Sequence, residues 1–172
     1  MVKKLIDDNK IHDFAQKVTT PFYIYSSDKI IENYNSYARC LTDIDSLICY
    51  SVKANSNLSI LKMLSNSDSG FDVVSKGEIE RVLLAGGNAE KIVFSGVGKT
   101  EEEIKLAIKN NILLINVESE NEAILINKIA GNLKKKIAIG IRLNPDINAP
   151  THKKISTGKA EDKFGLSKTN LI

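Results

Sequence analysis

A single cation ends the apolar run Leu47-Ile48-Cys49-Tyr50-Ser51-Val52-Lys53. Lysine is among the residues least often buried without a partner, so one placed where a buried strand emerges needs a reason. Either the strand stops there and Lys53 reaches water along its own stem, or its amine is kept for chemistry in a cleft. Polar residues stand in or just after other apolar runs in the same way: Asp72, Asn116, Glu118 and Arg142. An amine, carboxylates and a guanidinium at one rim could bind a charged small molecule and act on it. Whether the fold gathers them depends on the elements that carry them.

Five apolar, β-branched runs, 47–53, 71–75, 92–96, 112–118 and 137–143, recur at roughly 22-residue intervals with helical periodicity between them, the signature of repeated βαβ units. Ser75-Lys76-Gly77-Glu78, Thr100-Glu101-Glu102-Glu103 and Ser119-Glu120-Asn121-Glu122 predict three capping boxes, each just after a strand. In each the hydroxyl can accept from the N3 amide while the Glu reaches back to the N-cap amide. Behind them Ile79/Val82/Leu83 and Ile104/Ala107/Ile108 keep the spacing of a helix face packed on a sheet. Gly86-Gly87 and Gly131-Asn132 are expected to supply left-handed stops. Ahead of the repeat, Pro21-Phe22-Tyr23-Ile24-Tyr25 predicts a strand, followed by a helix capped by Ser27 or Asp28 and running to about Leu41.

The fold class is α/β with a parallel sheet. Side chains alternate faces along a strand, which puts Ile48, Tyr50 and Val52 opposite Cys49, Ser51 and Lys53, and Phe71 and Val73 opposite Asp72 and Val74. In the fifth run Ile137, Ile139, Ile141 and Leu143 oppose Ala138, Gly140 and Arg142. One face is bulky and apolar, and the other turns polar towards the carboxyl end. A doubly wound sheet, helix-covered on both faces, should be apolar on both. A β/α barrel with an active site in its upper interior fits better, because catalytic groups there come from the ends of several strands.

Composition narrows the classes of function. The chain has 172 residues, net charge +3, 6% aromatics and no Trp. Its lysines are dispersed, and the run Lys134-Lys135-Lys136 reads as a solvated lead into a strand. No clustered basic and aromatic footprint for nucleic acid is present. Cys40 and Cys49 lack metal or redox spacing, which suggests reduced thiols in a cytoplasmic protein. The acidic residues near the start do not suit a signal peptide, and no window suits a membrane span. No Gly-x-Gly-x-x-Gly follows the first strand, and Gly96-Val97-Gly98-Lys99-Thr100 is expected to be a flexible turn. His12 is assigned no role.

Tyr50-Ser51-Val52-Lys53-Ala54-Asn55 resembles the cofactor-lysine motif of the pyridoxal-phosphate decarboxylases with an alanine-racemase-like barrel. Thr20–Tyr25 looks like that family's leading strand, and Gly70-Phe71-Asp72-Val73-Val74-Ser75-Lys76-Gly77-Glu78 like its second barrel strand and helix start. Asn116-Val117-Glu118-Ser119 and Arg142-Leu143-Asn144-Pro145 look like its fourth and fifth. Thr151-His152 through Thr157-Gly158, followed by Lys163-Phe164-Gly165, is most similar to the diaminopimelate-specific branch.

The resemblance implies pyridoxal 5'-phosphate as cofactor, an electron sink for the carbanion that decarboxylation leaves. Lys53 would be its covalent anchor and needs a neutral amine to react. Asp72 and Arg142 would lie beside the cofactor. For Arg142 an ion pair with Glu118 or Asp72 serves equally well, and Glu78 reads as a cap. His152 would sit in a substrate-covering segment, or be a plain loop histidine. The implied reaction is decarboxylation of meso-diaminopimelate to L-lysine, with another basic amino acid or a non-catalytic remnant as alternatives. Also implied are a small amino-acid substrate, a homodimer in the complete protein, and no nucleic-acid or membrane partner. The expected organisation is an N-terminal segment, 1–27, and an incomplete (β/α)8 TIM barrel of about five strands, 28–172. Barrels of this kind typically need about 250 residues. The family's phosphate loop and ring-nitrogen acid are expected to lie outside these residues, so this chain alone is expected to be inactive.

Overall fold

The computed structural model describes residues 6–147 and 165–167. The chain forms two compact units, Met1–Ser46 and Leu47–Ile172. The first holds two helices, α1 (Asp8–Lys17) and α2 (Ser27–Cys40), neither of which buries a residue fully. Asp7 caps α1, and Ser26 caps α2 by accepting from the Lys29 amide. The strand expected at 21–25 is not formed: residues 22–26 belong to no strand. Strand-forming residues become a strand only by pairing, and Tyr23 stands 90% exposed with nothing to pack against.

The second unit is built on five parallel strands: β1 (Cys49–Ser51), β2 (Gly70–Val73), β3 (Ile92–Phe94), β4 (Leu114–Val117) and β5 (Ala138–Ile141). They lie in the order 1-2-3-4-5. Four helices alternate with them: α3 (Leu58–Asn66), α4 (Lys76–Leu84), α5 (Glu101–Lys109) and α6 (Glu120–Asn132). A short parallel pair, β6 (Leu143–Asn144) with β7 (Leu166–Ser167), follows. Strand order that never reverses is the arrangement of a barrel wall, since doubly wound sheets have a switch point where it does. The fold is therefore a partial (β/α)8 barrel.

The predicted alternation of faces holds in β2, and β3 and β4 follow the same pattern. Phe71, Val73, Ile92, Phe94, Ile115 and Val117 are buried against the helices, whereas Asp72, Val93, Leu114 and Asn116 between them remain partly open. Truncating either phenylalanine would cost about 3–5 kcal/mol. On β5 the faces alternate as well, with Ile137 and Ile139 lining a groove of about 370 Å³ against α6 and Gly140 lying against Asn116. The apolar face is poorly covered there: Ile139 and Ile141 are 48% and 55% exposed.

The helix ends differ from the sequence reading in instructive ways. Only Thr100 and Glu103 make the reciprocal capping box. Glu78 and Glu122 instead accept from Val74 and Glu118, one residue before the cap. The backbone explains this: Ser75 and Ser119 are fully extended (φ −158° and −155°), whereas Thr100 has φ −78°. Full extension turns the cap's own N–H away from the helix and offers the preceding one. Glu103 also accepts from the Lys76 amide, tying the start of α5 to the start of α4.

All four of these helices stop in the same Schellman pattern. The left-handed residues are Asp68, Gly86, Asn111 and Lys134, and the following amides return to Leu64, Val82, Ala107 and Ala130. Gly86 was foreseen. Gly131 and Asn132 are instead inside α6, and Lys134 makes the stop. Lys135 is no merely solvated charge either, since its ammonium donates to the Lys109 carbonyl (2.9 Å) and to Asn111 Oδ1 (2.8 Å) at the end of α5.

Candidate functional site

The carboxyl ends of the strands carry the polar residues. β1 closes at Ser51, and residues 52–54 form a 3-10 turn in which Val52 is fully buried and Lys53 is exposed. The Tyr50 hydroxyl donates to the Asn55 carbonyl (3.1 Å), tightening the turn, and Asn57 caps α3 directly behind it. Lys53 has no hydrogen-bond or ion-pair partner among the described residues.

A line of side-chain hydrogen bonds runs from β1 to β4 on the face away from the helices. Ser51 pairs in register with Asp72, and its hydroxyl donates to Asp72 Oδ2 (3.1 Å). Ser95 donates to Asp72 Oδ1 (2.6 Å) and accepts from Asn116 Nδ2 (3.0 Å). Asn116 Oδ1 lies over Gly140, so a side chain at that position would displace the asparagine from this layer. Cys49 shares the face: burial pushes its thiol pKa up, and the Asp72 carboxylate adds to the rise.

Towards β5 the rim is built from ion pairs. Arg142 pairs with Glu118 (Nη1 to Oε1, 3.0 Å). Lys99 is buried, its side chain 1% exposed, and donates to Glu122 Oε1 (2.8 Å) and to the Gly96 and Asn116 carbonyls. All three of its protons are used, and the ring of Phe94 lies 5.4 Å beneath. The turn 96–100 is thus clamped by its lysine, contrary to the expected flexible turn. Sequence reasoning missed Lys99 and Glu122 because the partners stand 23 residues apart with no shared motif.

Asp72 and Asn116 share the open face; the strand expected over 47–53 ends at Ser51, so Lys53 stands in the turn 52–54 and strand alternation does not reach it. Glu78 serves the backbone at Val74. His152 lies outside the described residues, as do Thr151, Lys163 and Phe164. No group of acids, cysteines and histidines among the described residues could hold a metal, and no described helix is long and apolar enough to cross a membrane.

The described part of the rim thus offers an exposed amine on the turn after β1 and, on the neighbouring strand β2, a carboxylate fixed by two hydroxyls. Residues 27–171 match the family model described as pyridoxal-dependent decarboxylase, pyridoxal binding domain, and the chain belongs to this family. Its relatives narrow the class further. Diaminopimelate decarboxylases of Vibrio cholerae and Campylobacter jejuni are 50% and 52% identical over 90% and 88% of this chain, which covers 37% and 38% of their lengths. The crystal structure of the Helicobacter pylori diaminopimelate decarboxylase complexed with L-lysine superposes with a TM-score of 0.90 at 49% identity, over 94% of this chain and 41% of that one. The chain therefore spans about two fifths of the length of these relatives.

Proposed function

We propose that Lys53 is the cofactor-bearing lysine of a pyridoxal-phosphate enzyme whose complete form decarboxylates meso-diaminopimelate to L-lysine. The observation that carries this is an amine just after β1 with no partner among the described residues, in a rim where Lys99 and Arg142 are paired. Pyridoxal phosphate supplies an electron sink for the pair left when carbon dioxide departs. Everything else falls to the chain. Buried Val52 and the Tyr50–Asn55 bond fix the backbone that presents Lys53. Ser51 and Ser95 hold the Asp72 carboxylate in one orientation on the same face. Arg142 contributes positive charge near the rim, oriented by Glu118. The proposal also takes His152, which lies outside the described residues, as a substrate-side residue.

The reading includes a homodimer of the complete protein, a cytoplasmic location, and a division into an N-terminal segment, 1–27, and a pyridoxal-binding part, 28–172. The substrate assignment rests on the identity with diaminopimelate decarboxylases. Borohydride reduction of the full gene product with pyridoxal phosphate, followed by peptide mass analysis, tests the anchor: the label should sit on Lys53. Label scattered over surface lysines would end the proposal. Carbon dioxide release from meso-diaminopimelate, measured against L-lysine, L-ornithine and L-arginine, tests the substrate, and a preference for any of the latter three would reassign it. The 172 residues by themselves should release none.

A further inference from the structure

One buried carboxylate joins three strand ends and the backbone that returns beside them. Glu118, its side chain 3% exposed, accepts from Arg142 Nη1 (3.0 Å) and the Gly96 amide (3.2 Å) through Oε1, and from the Gly165 amide (3.1 Å) through Oε2. We propose that Glu118 is a positioning residue for the cofactor site, holding the Arg142 guanidinium and the Gly165–Leu166 backbone in a single arrangement. Cofactor affinity and the order of β7 then depend on the same side chain. The inference rests on the reading of Arg142 as a cofactor-side residue.

Burying an acid is costly unless its partners are well placed, and here they are. The Glu118 amide donates to Glu122 Oε2 (2.8 Å), and Glu122 in turn pairs with Lys99. Among the described residues the result is a chain of alternating partners, Lys99–Glu122–Glu118–Arg142, running from the turn after β3 to the end of β5. Arg142 is held at both ends: its guanidinium by Glu118, and its carbonyl by the Leu166 amide at 2.7 Å. Gly165 has φ +76°, and a Cβ there would lie 2.7 Å from the Arg142 carbonyl oxygen, so the approach is as close as backbone allows. The Arg142 side chain is still 38% exposed and can be reached by a bound anion. A carboxylate that only filled the core would not need to meet a guanidinium and a returning backbone at once.

Pyridoxal-phosphate titration and amide hydrogen exchange of the full gene product, for Glu118→Gln, Arg142→Gln and the double variant, test this. Glu118→Gln should weaken cofactor binding about tenfold and speed exchange at residues 165–166, and the double variant should bind no more weakly than Arg142→Gln alone. Glu118→Asp, a second variant, keeps the charge opposite Arg142 but draws back from Gly165. It should bind within about twofold of the parent while exchange at 165–166 quickens. Losses that multiply in the double variant, or Glu118→Gln binding like the parent while Lys53 still takes the borohydride label, would overturn the role of Glu118. Lys53→Ala binding cofactor as tightly as the parent would instead overturn the site assignment itself.

Discussion

The rim of the sheet has two halves with opposite treatment of positive charge. Along β3 to β5, Lys99 and Arg142 are matched with Glu122 and Glu118, and Lys99 has no proton left to give. At β1, Lys53 faces water with no partner among the described residues, on a turn pinned by fully buried Val52. The same residue type is a strut in one place and the proposed cofactor anchor in the other. A buried ammonium whose protons are all donated serves the structure; an amine left open to solvent can be reached by an aldehyde.

The contrast predicts opposite outcomes for the two lysines. Lys53→Ala should abolish borohydride labelling and cut decarboxylation by more than about a thousandfold. It should leave the urea midpoint nearly unchanged, because an exposed substitution shifts stability by about 0.5 kcal/mol or less. Lys99→Met should do the reverse, costing about 3–5 kcal/mol in urea unfolding by leaving Glu122 buried without its cation. A Lys99→Met protein as stable as the parent would remove the distinction.

A smaller effect is expected at Lys135, which meets the last carbonyls of α5. Lys135→Met should lower stability by about 0.5–1 kcal/mol, read from the same unfolding curves. The smallest effect concerns acid. Burial alone would raise the Glu103 carboxyl, but the Thr100 and Lys76 amides, the Thr100 hydroxyl and the Lys99 charge outweigh it and hold the pKa below the usual carboxylate value. A group with a depressed folded-state pKa stabilises above its unfolded pKa and loses that contribution as pH falls through the folded one. The thermal midpoints of the parent and Glu103→Gln should therefore differ at neutral pH and converge as pH drops below the carboxylate range.

Much of this was readable from the sequence where the signal is local. Strand positions follow β-branched runs, helix starts follow Ser or Thr with Glu three residues on, and the polar face follows from alternation, which placed Asp72 and Asn116 together. What could not be read is set by partners distant along the chain. Lys99 looked like part of a loop because its acceptors lie on β4 and α6. Arg142 had two candidate acids until the register chose Glu118 over Asp72. Three of the four left-handed stops use Asp68, Asn111 and Lys134, where a search for glycine finds nothing. Tyr23 and Tyr25 carry strand propensity without a ladder to join, so propensity alone misplaced a strand.

The Asp72 arrangement limits what can dock on the open face. A hydroxyl has one proton to give, and those of Ser51 and Ser95 are both spent on the carboxylate. Towards any visitor these groups present lone pairs only. A guest settling against these three residues must bring its own N–H or O–H, and one that comes as a bare acceptor finds a donor only further along, at the Asn116 amide.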